Sequence, residues 1–474
     1  MSQYLPRFSH RRSNSFRKIT DSFLHQQGLP FEQTLSADQI QKVFEQHDGM
    51  FAVGAIYGTA VVLWAFLGQV LQDGKMAACQ AAVASIIAYQ KLLSLPTPTN
   101  DTGDYCRARS KLKEEAISEL AVTVARQTEQ QCDEQWLFQG KHVKLVDGFT
   151  FTMPDTPRNQ AQYPQQKAQE PGLGFPIARC VAVVSLATAC VNDLAIGPYA
   201  GKQTGETALL RKLMGVFEPG DVALLDRYYC SFMMLAAMIA QGVDVCCRKH
   251  HLRKTDFRRG KRLGKCDHLI IWHRPVQRPQ WMDEETYQSL PETLTLREIK
   301  YSITEPGFRT KSIIVITTLT DPEEFSAEAI AELYGYRWNV ELDIRSIKCN
   351  LNLDHVRCKS PEMVRRELWT TILAYNLIRS TAAGAAMLHD VKPREISFTS
   401  TGQFVLAAWA VISLGKISKQ ALLDYAQTML ENIANCRVAN RPGRIEPRLI
   451  KKRPKQYKHL RVPRSLARQL IKNA

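Results

Sequence analysis

Residues 141–153 read KHVKLVDGFTFTM, the clearest strand signal in the chain. Strict alternation sets Val143, Leu145, Phe149, Phe151 and Met153 on one face, and Asp147 stands in the same row. A carboxylate in an apolar row is costly unless a cation, hydrogen bonds or a metal neutralises it. Asp147 is therefore a functional-site candidate on pattern alone. The plainer alternative is an acid at a strand end that faces water.

Outward from this strand, residues 179–191 (RCVAVVSLATACV) and 193–199 predict two further strands, close enough in sequence to form an antiparallel meander. A helix is expected over 204–216, closed by Glu218-Pro219-Gly220. Then comes DVALLD at 221–226, a short apolar run of the kind that forms a parallel strand buried on both faces. It ends in Asp226-Arg227, at the carboxyl end where open α/β sheets bind their ligands. Strand, strand, strand, helix, strand is the order of a ribonuclease H-like core, whose fourth strand lies parallel to the first, so that both aspartates approach one point.

Residues 334–348, YGYRWNVELDIRSIK, predict a helix. At about 100° per residue, Tyr334, Arg337, Glu341, Arg345 and Lys348 fall within one arc of roughly 60 to 80°. Leu333, Val340, Ile344, Ile347 and Leu351 form the core-facing stripe beside it. One carboxylate thus stands among cations and a phenol along the seam next to the core. On spacing alone this reads equally well as a solvated face with i,i+4 ion pairs, each worth only a few tenths of a kcal/mol.

The spacing Tyr334-x2-Arg337-x3-Glu341-x6-Lys348 resembles the signature of the bacterial insertion-sequence transposases of the insertion sequence four family. Asp147-Gly148 is similar to that family's first acidic motif and Asp226-Arg227 to its second, and the likeness covers roughly residues 40–390. The resemblance implies an α/β fold: a ribonuclease H-like catalytic core, with a mixed sheet flanked by helices, a β-rich insertion and an N-terminal helical DNA-binding domain. It implies that Asp147, Asp226 and Glu341 hold two Mg2+ ions, Mn2+ being an alternative, with Asp147 bridging both. Tyr334, Arg337, Lys348, Arg227 and Arg345 become implied DNA contacts. The implied activity is Mg2+-dependent cleavage at insertion-sequence ends, followed by strand transfer of the freed 3′ hydroxyl into target DNA. The implied partners are double-stranded DNA, as terminal inverted repeats and as target, and a second copy of the chain when assembled on DNA.

One departure stands out. Some relatives place a Trp in the strand before the motif Tyr, where it supports a flipped base during hairpin formation, but this chain reads KSIIV at 311–315. Trp272 and Trp281 in the insertion are the indoles that can substitute. Two rival readings are a ribonuclease H-like nuclease that cuts without joining and an inactive DNA-binding descendant of a transposase. The presence of all three acids weighs against the second.

Composition agrees with a DNA partner. Lys and Arg number 62 against 46 Asp and Glu, a net charge of +16, which favours a polyanion. The densest basic run of the middle region is RKHHLRKTDFRRGKRLGK at 248–265. A hydrophobic content of 45% excludes a disordered chain, and 474 residues exceed one ordinary core. The uncharged run at 51–71 is long enough to span a bilayer, yet its glycines and lack of flanking Lys/Arg clusters or a clear aromatic belt favour one or two buried helices. With no apolar run behind the N-terminal charges, a secretory signal is not expected. The expected location is the bacterial cytoplasm, at the nucleoid, with no membrane partner. Twelve scattered cysteines without a C-x2-C pair argue against a zinc site or a disulfide framework.

These signals divide the chain into a basic arm over 1–35, a helical DNA-binding domain over 36–95 begun by Ser36 as N-cap, and a linker with connecting helix over 96–140. The linker signal is LPTPTNDTGD at 95–104, and the helix is expected from Tyr105 to about Gln131. The first part of the core covers 141–246, the β-rich insertion 247–312, and the second part with the Glu341 helix 313–390. An amphipathic helix over 361–387 is expected to pack on the sheet. A helical region over 391–440 and a flexible basic tail over 441–474 complete the chain.

Overall fold

The computed structural model of the chain describes residue 35 and residues 37–51, 55–92, 94–302, 312–412, 419–438 and 460–473. The basic arm, Ser36, Lys311 and most cations of the tail lie outside the described residues. Two compact units emerge: Met1–Trp136 with Ala187–Asn192 and Asp343–Val438, and Leu137–Leu186 with Asp193–Leu342 and Ala439–Ala474.

The second unit is built on a mixed sheet. Its strands are β1 Val143–Thr152, β2 Ile177–Ser185, β3 Val191–Pro198, β4 Val222–Leu225, β5 Asp244–Arg248, β6 Lys261–Gly264, β7 Asp267–His273, β8 Thr293–Ser302 and β9 Ser312–Thr317. They lie in the order β3-β2-β1-β4-β5-β9-β8-β7-β6. β1 runs antiparallel to β2 from Lys144↔Ser185 to Thr152↔Ile177, the meander expected from the sequence. β4 lies parallel to both β1 and β5. Its four residues are wholly buried, as a strand covered on both faces must be. Leu209, Leu210 and the helix Phe232–Ala240 fill one of those faces, against Val146, Ala223 and Leu225. This is the ribonuclease H-like arrangement. The strands of the insertion add to the same sheet, because β9 pairs antiparallel with β5 on one side and with β8 on the other.

The first unit is helical. The uncharged run supplies the helix Thr59–Val70, which buries Val62, Leu63, Trp64, Phe66 and Leu67. Among the described residues no helix is long and apolar enough to cross a membrane. The linker ends earlier than its composition indicates: Asp101 accepts from Gly103 N at 3.0 Å and starts a helix at Thr102. That helix stops at Lys111 and a second runs over Glu114–Gln130, so the single helix expected here is two.

The long helix Pro361–Leu388 begins under a Ser360 cap and is buried almost all round from Leu368 to Ala386. A position on the sheet was expected for it. Within its unit it packs chiefly against the helices Glu114–Gln130 and Lys419–Asn435, which suits a helix without a polar face. Its Asn376 donates to Ala121 O and Val191 O, both at 2.9 Å, and accepts from Val191 N at 2.8 Å. Asn376→Leu strands these buried backbone groups and is expected to lower stability by about 2 to 4 kcal/mol. The check is a urea midpoint at unchanged slope; an unshifted midpoint would mean that the groups find other partners.

Of the expected tail over 441–474, residues 460–473 are described. Arg464–Lys472 is a helix with Leu466, Leu470 and Ile471 exposed, in keeping with its Leu, Ala, Arg and Gln content.

Candidate catalytic site

The parallel register of β1 and β4 pairs Val143 with Val222 and Leu145 with Leu224. Two places further along, Asp147 comes level with Asp226, just after β4 has ended at Leu225. Both acids share the sheet face of Leu145 and Leu224, because side chains alternate along a strand.

The third acid arrives on a helical segment. Ser326 accepts from Ala329 N at 3.1 Å and starts the helix Ala327–Gly335. The chain then turns at Tyr336 and Arg337 and continues as the helix Trp338–Arg345 and a π-helical turn, Ser346–Asn350. The one continuous helix expected from the sequence is thus broken once, beside Gly335, the poorest helix former of the stretch, and widens into a π turn at its end. The apolar stripe survives: Leu333, Val340, Ile344, Ile347 and Leu351 are all buried.

Arg337 joins two of the acids. Its Nη2 lies 2.5 Å from Glu341 Oε1 and its Nη1 3.7 Å from Asp147 Oδ2. Burial pulls the guanidinium pKa down, but the bond to Glu341 and the charges of Tyr334, Glu341 and Asp226 outweigh it, and the net shift is upward. Asp147 accepts from Gly148 N at 2.8 Å. Burial pushes its carboxyl up to about 6, aided by Glu341 and Glu206, while the Gly148 bond and Arg337 pull the other way. A single guanidinium at that distance does not neutralise this acid.

The expected DNA contacts divide. Tyr334 is only 5% exposed, and burial raises its pKa. The large exposed aromatics next to the acids in sequence are Tyr228, at 68%, and Trp338, at 59%. Sequence reading passed both over, and adjacency to Asp226 and Glu341 was their only signal. Arg227 follows Asp226 in a short 3-10 turn. Arg345 and Lys348 belong to the helical unit, where Arg345 is exposed and Lys348 pairs with Asp354 at 3.1 Å. Of the two indoles in the insertion, Trp272 is 6% exposed under Arg253, whereas Trp281 is 38% exposed with Arg211 over its ring at 4.0 Å.

Glu206 is a further acid whose charge reaches Asp147, although its helix packs on the other face of the sheet, against Val146. It opens the helix Glu206–Arg211, and burial raises its pKa, Arg179 opposing and Asp226 adding to the shift. Among the described residues no three His, Cys, Asp or Glu side chains are arranged to hold a metal ion as they stand. The donor chemistry nevertheless fits one: these are hard carboxylate oxygens, and Asp147 is short of positive charge.

Residues 139–377 match the family model described as the transposase DDE domain. The chain is 27% identical over 363 residues to the transposase InsG of insertion sequence element IS4 from Escherichia coli strain K12, covering 74% of this chain and 76% of the relative. Over a shorter stretch of 66 residues it is 36% identical to the transposase of insertion sequence element IS421 from Escherichia coli, covering 14% of this chain and 18% of the relative. Among solved structures it is similar to a piggyBac transposase synaptic complex with hairpin DNA, at 10% identity and a TM-score of 0.42, over 91% of this chain and 86% of that one. With the family domain matched over half of its length, the chain belongs to the DDE transposases of the insertion sequence four family.

Proposed function

We propose that this protein cleaves DNA at the ends of an insertion sequence and joins the freed ends to target DNA, with Asp147, Asp226 and Glu341 as its metal-binding acids. The observation that carries the reading is the meeting of β1, the end of β4 and the Glu341 helix around Arg337, within a chain of DDE transposase kind. The family is as a rule metal-dependent. Bound Mg2+ would supply Lewis acidity at the scissile phosphate and lower the pKa of the attacking water.

The chain's own residues then have separate tasks. Asp147 and Asp226, fixed by paired strands, and Glu341, on a helix anchored by its buried stripe, orient the reacting groups. Arg337 carries a fork that matches a phosphate as well as a carboxylate, so it can leave the acids for the DNA backbone. Arg227, Arg345 and Lys348 add phosphate contacts, and Tyr334 lines the protein side. In cleavage, a water oxygen bonds to phosphorus, the bond to the 3′ oxygen breaks, and that oxygen leaves as a hydroxyl. In joining, this hydroxyl attacks a target phosphate and one phosphodiester replaces another.

Cutting two ends calls for two copies of the chain on DNA. The helices of residues 36–95 are proposed to read the terminal repeats, the insertion at 247–312 and the basic tail to follow phosphates, and the site of action is the bacterial nucleoid. The test uses short duplexes of the DNA flanking this reading frame, cut to expose a 3′ hydroxyl, with a supercoiled plasmid and Mg2+. Joined products with staggered insertion support the proposal. Cleavage of uncut duplexes without joining would favour a nuclease, and retardation without either reaction an inactive DNA-binding protein.

A further inference from the structure

We infer that Cys79 and Cys106 are an oxidisable thiol pair, which a hydroperoxide closes into a disulfide between two helices of the helical unit. Cys79 opens the helix Cys79–Leu92, and Cys106 lies in the middle of the helix Thr102–Lys111. Although 27 residues apart in sequence, the two sulfurs stand 3.6 Å from each other, the Cys106 thiol donating to Cys79. Both side chains are half-buried and within reach of a small oxidant, whereas Cys180, Cys190 and Cys246 are buried. No C-x2-C spacing announces the pair; the packing of the two helices makes it.

The surroundings give the two sulfurs different parts. Cys79 accepts a second hydrogen bond, from Gln69 Nε2 at 3.8 Å. Two donors and a helix N-terminus favour negative charge on that sulfur. Gln69 is itself held, because it donates to Ala77 O at 3.0 Å, and its Oε1 accepts from the Tyr105 hydroxyl at 2.5 Å and from Arg109 Nη1 at 2.9 Å. Arg109 Nε is buried without a hydrogen-bond partner. Burial works against the Arg109 charge, and Cys358, Tyr105, Cys79 and Cys106 act to keep it, so a guanidinium stands beside the thiols. Burial, the bond to Cys79 and the charge of Cys79 push the Cys106 thiol up, with Arg109 opposing. Cys79 is thus placed as the attacking sulfur and Cys106 as the one that keeps its proton. Cys358, the third thiol near Arg109, is buried, and that burial pushes it up, which makes it unreactive.

The chemistry balances in two steps. The Cys79 thiolate attacks one peroxide oxygen, the O–O bond breaks, and the departing hydroxide takes a proton to become water; Cys79 is left as a sulfenic acid. The Cys106 sulfur then attacks the Cys79 sulfur, the S–O bond breaks, and the leaving hydroxide carries off the Cys106 proton as a second water. Two thiols are oxidised and one peroxide is reduced. In a reducing compartment such a pair rests as two thiols and returns to them by exchange with small thiols. The bond would tie the helix Cys79–Leu92 to the helix Thr102–Lys111 across the segment that links them.

The test is titration of the reduced full-length protein with hydrogen peroxide, followed by digestion without reductant and mass spectrometry. The expected result is one intrachain crosslink joining the Cys79 and Cys106 peptides, reversed by dithiothreitol and still formed in Cys358→Ser. In Cys106→Ser a sulfenic acid should be trapped on Cys79, at least about 10-fold faster than on Cys106 in Cys79→Ser. Circular dichroism establishes that the variants are folded. The oxidised wild type should unfold at a higher urea concentration than the reduced one, a rise that Cys106→Ser abolishes. Oxidation confined to the exposed Cys349, or a crosslink from Cys79 to Cys358 instead, would overturn the pair. Equal trapping rates on the two sulfurs would overturn their separate parts. A urea midpoint lowered by oxidation would mean that the bond forms only by distorting the helices, against a pair already in place.

Discussion

Asp147→Asn is expected to abolish DNA cleavage, by about 1,000-fold or more, on the scale of several kcal/mol of lost transition-state stabilisation. The same change should make the metal-free protein harder to unfold. Asp147 has a folded-state pKa of about 6, above the ordinary carboxylate value, chiefly because it is buried. An acid raised in this way favours the folded state only while it is protonated. Its stabilising contribution is present below about pH 4 and is lost as the pH rises through about 6. At pH 8 the folded protein carries a charge that it does not fully compensate. Asn keeps an oxygen for Gly148 N and removes that charge. In EDTA the variant should therefore gain about 1 to 3 kcal/mol over wild type at pH 8, and almost nothing at pH 4. Denaturant unfolding at both pH values checks this. Equal stability at pH 8 would mean that Arg337 and solvent already neutralise the acid.

Arg337→Ala has the second largest expected effect, and in the opposite direction. It leaves Asp147 and Glu341 facing each other without the guanidinium that bridges them. Because the Glu341 side chain is 35% exposed, solvent screens part of the loss, and stability should fall by about 1 to 3 kcal/mol at neutral pH. Mg2+ should raise the unfolding temperature of this variant more than that of wild type, since no internal cation competes for the same oxygens. DNA affinity should fall as well, and the slope of log affinity against log salt should drop by about one phosphate contact. Arg337→Lys cannot reproduce both contacts, because an ammonium has no fork, and it should resemble Ala more than Arg. A variant with unchanged stability and an unchanged response to Mg2+ would remove Arg337 from the centre of the site.

Much of this arrangement is legible in the sequence, for local reasons. The alternation around Asp147 and the apolar run before Asp226 each declare a strand, and the helix between predicts their parallel pairing. The buried stripe from Leu333 to Leu351 follows from helical periodicity even though the helix is interrupted. The interruption at Tyr336 and Arg337 was not legible, because the periodic positions on either side continue the same pattern across it. The continuation of the sheet into β8, β7 and β6 depends on β5 pairing with β9 across a long insertion, which no local pattern encodes.

The most direct measurement uses a plasmid carrying the DNA on both sides of this reading frame, incubated with purified protein in Mg2+ or in EDTA. Asp147→Ala and Glu341→Ala run in parallel, and the cut positions are mapped to the nucleotide. Breaks at paired inverted ends, present in Mg2+ and absent both in EDTA and in the two variants, are the expected result. Equal retardation of the DNA by all three proteins with no breaks in Mg2+, or breaks that persist in both variants, would contradict catalysis by these acids.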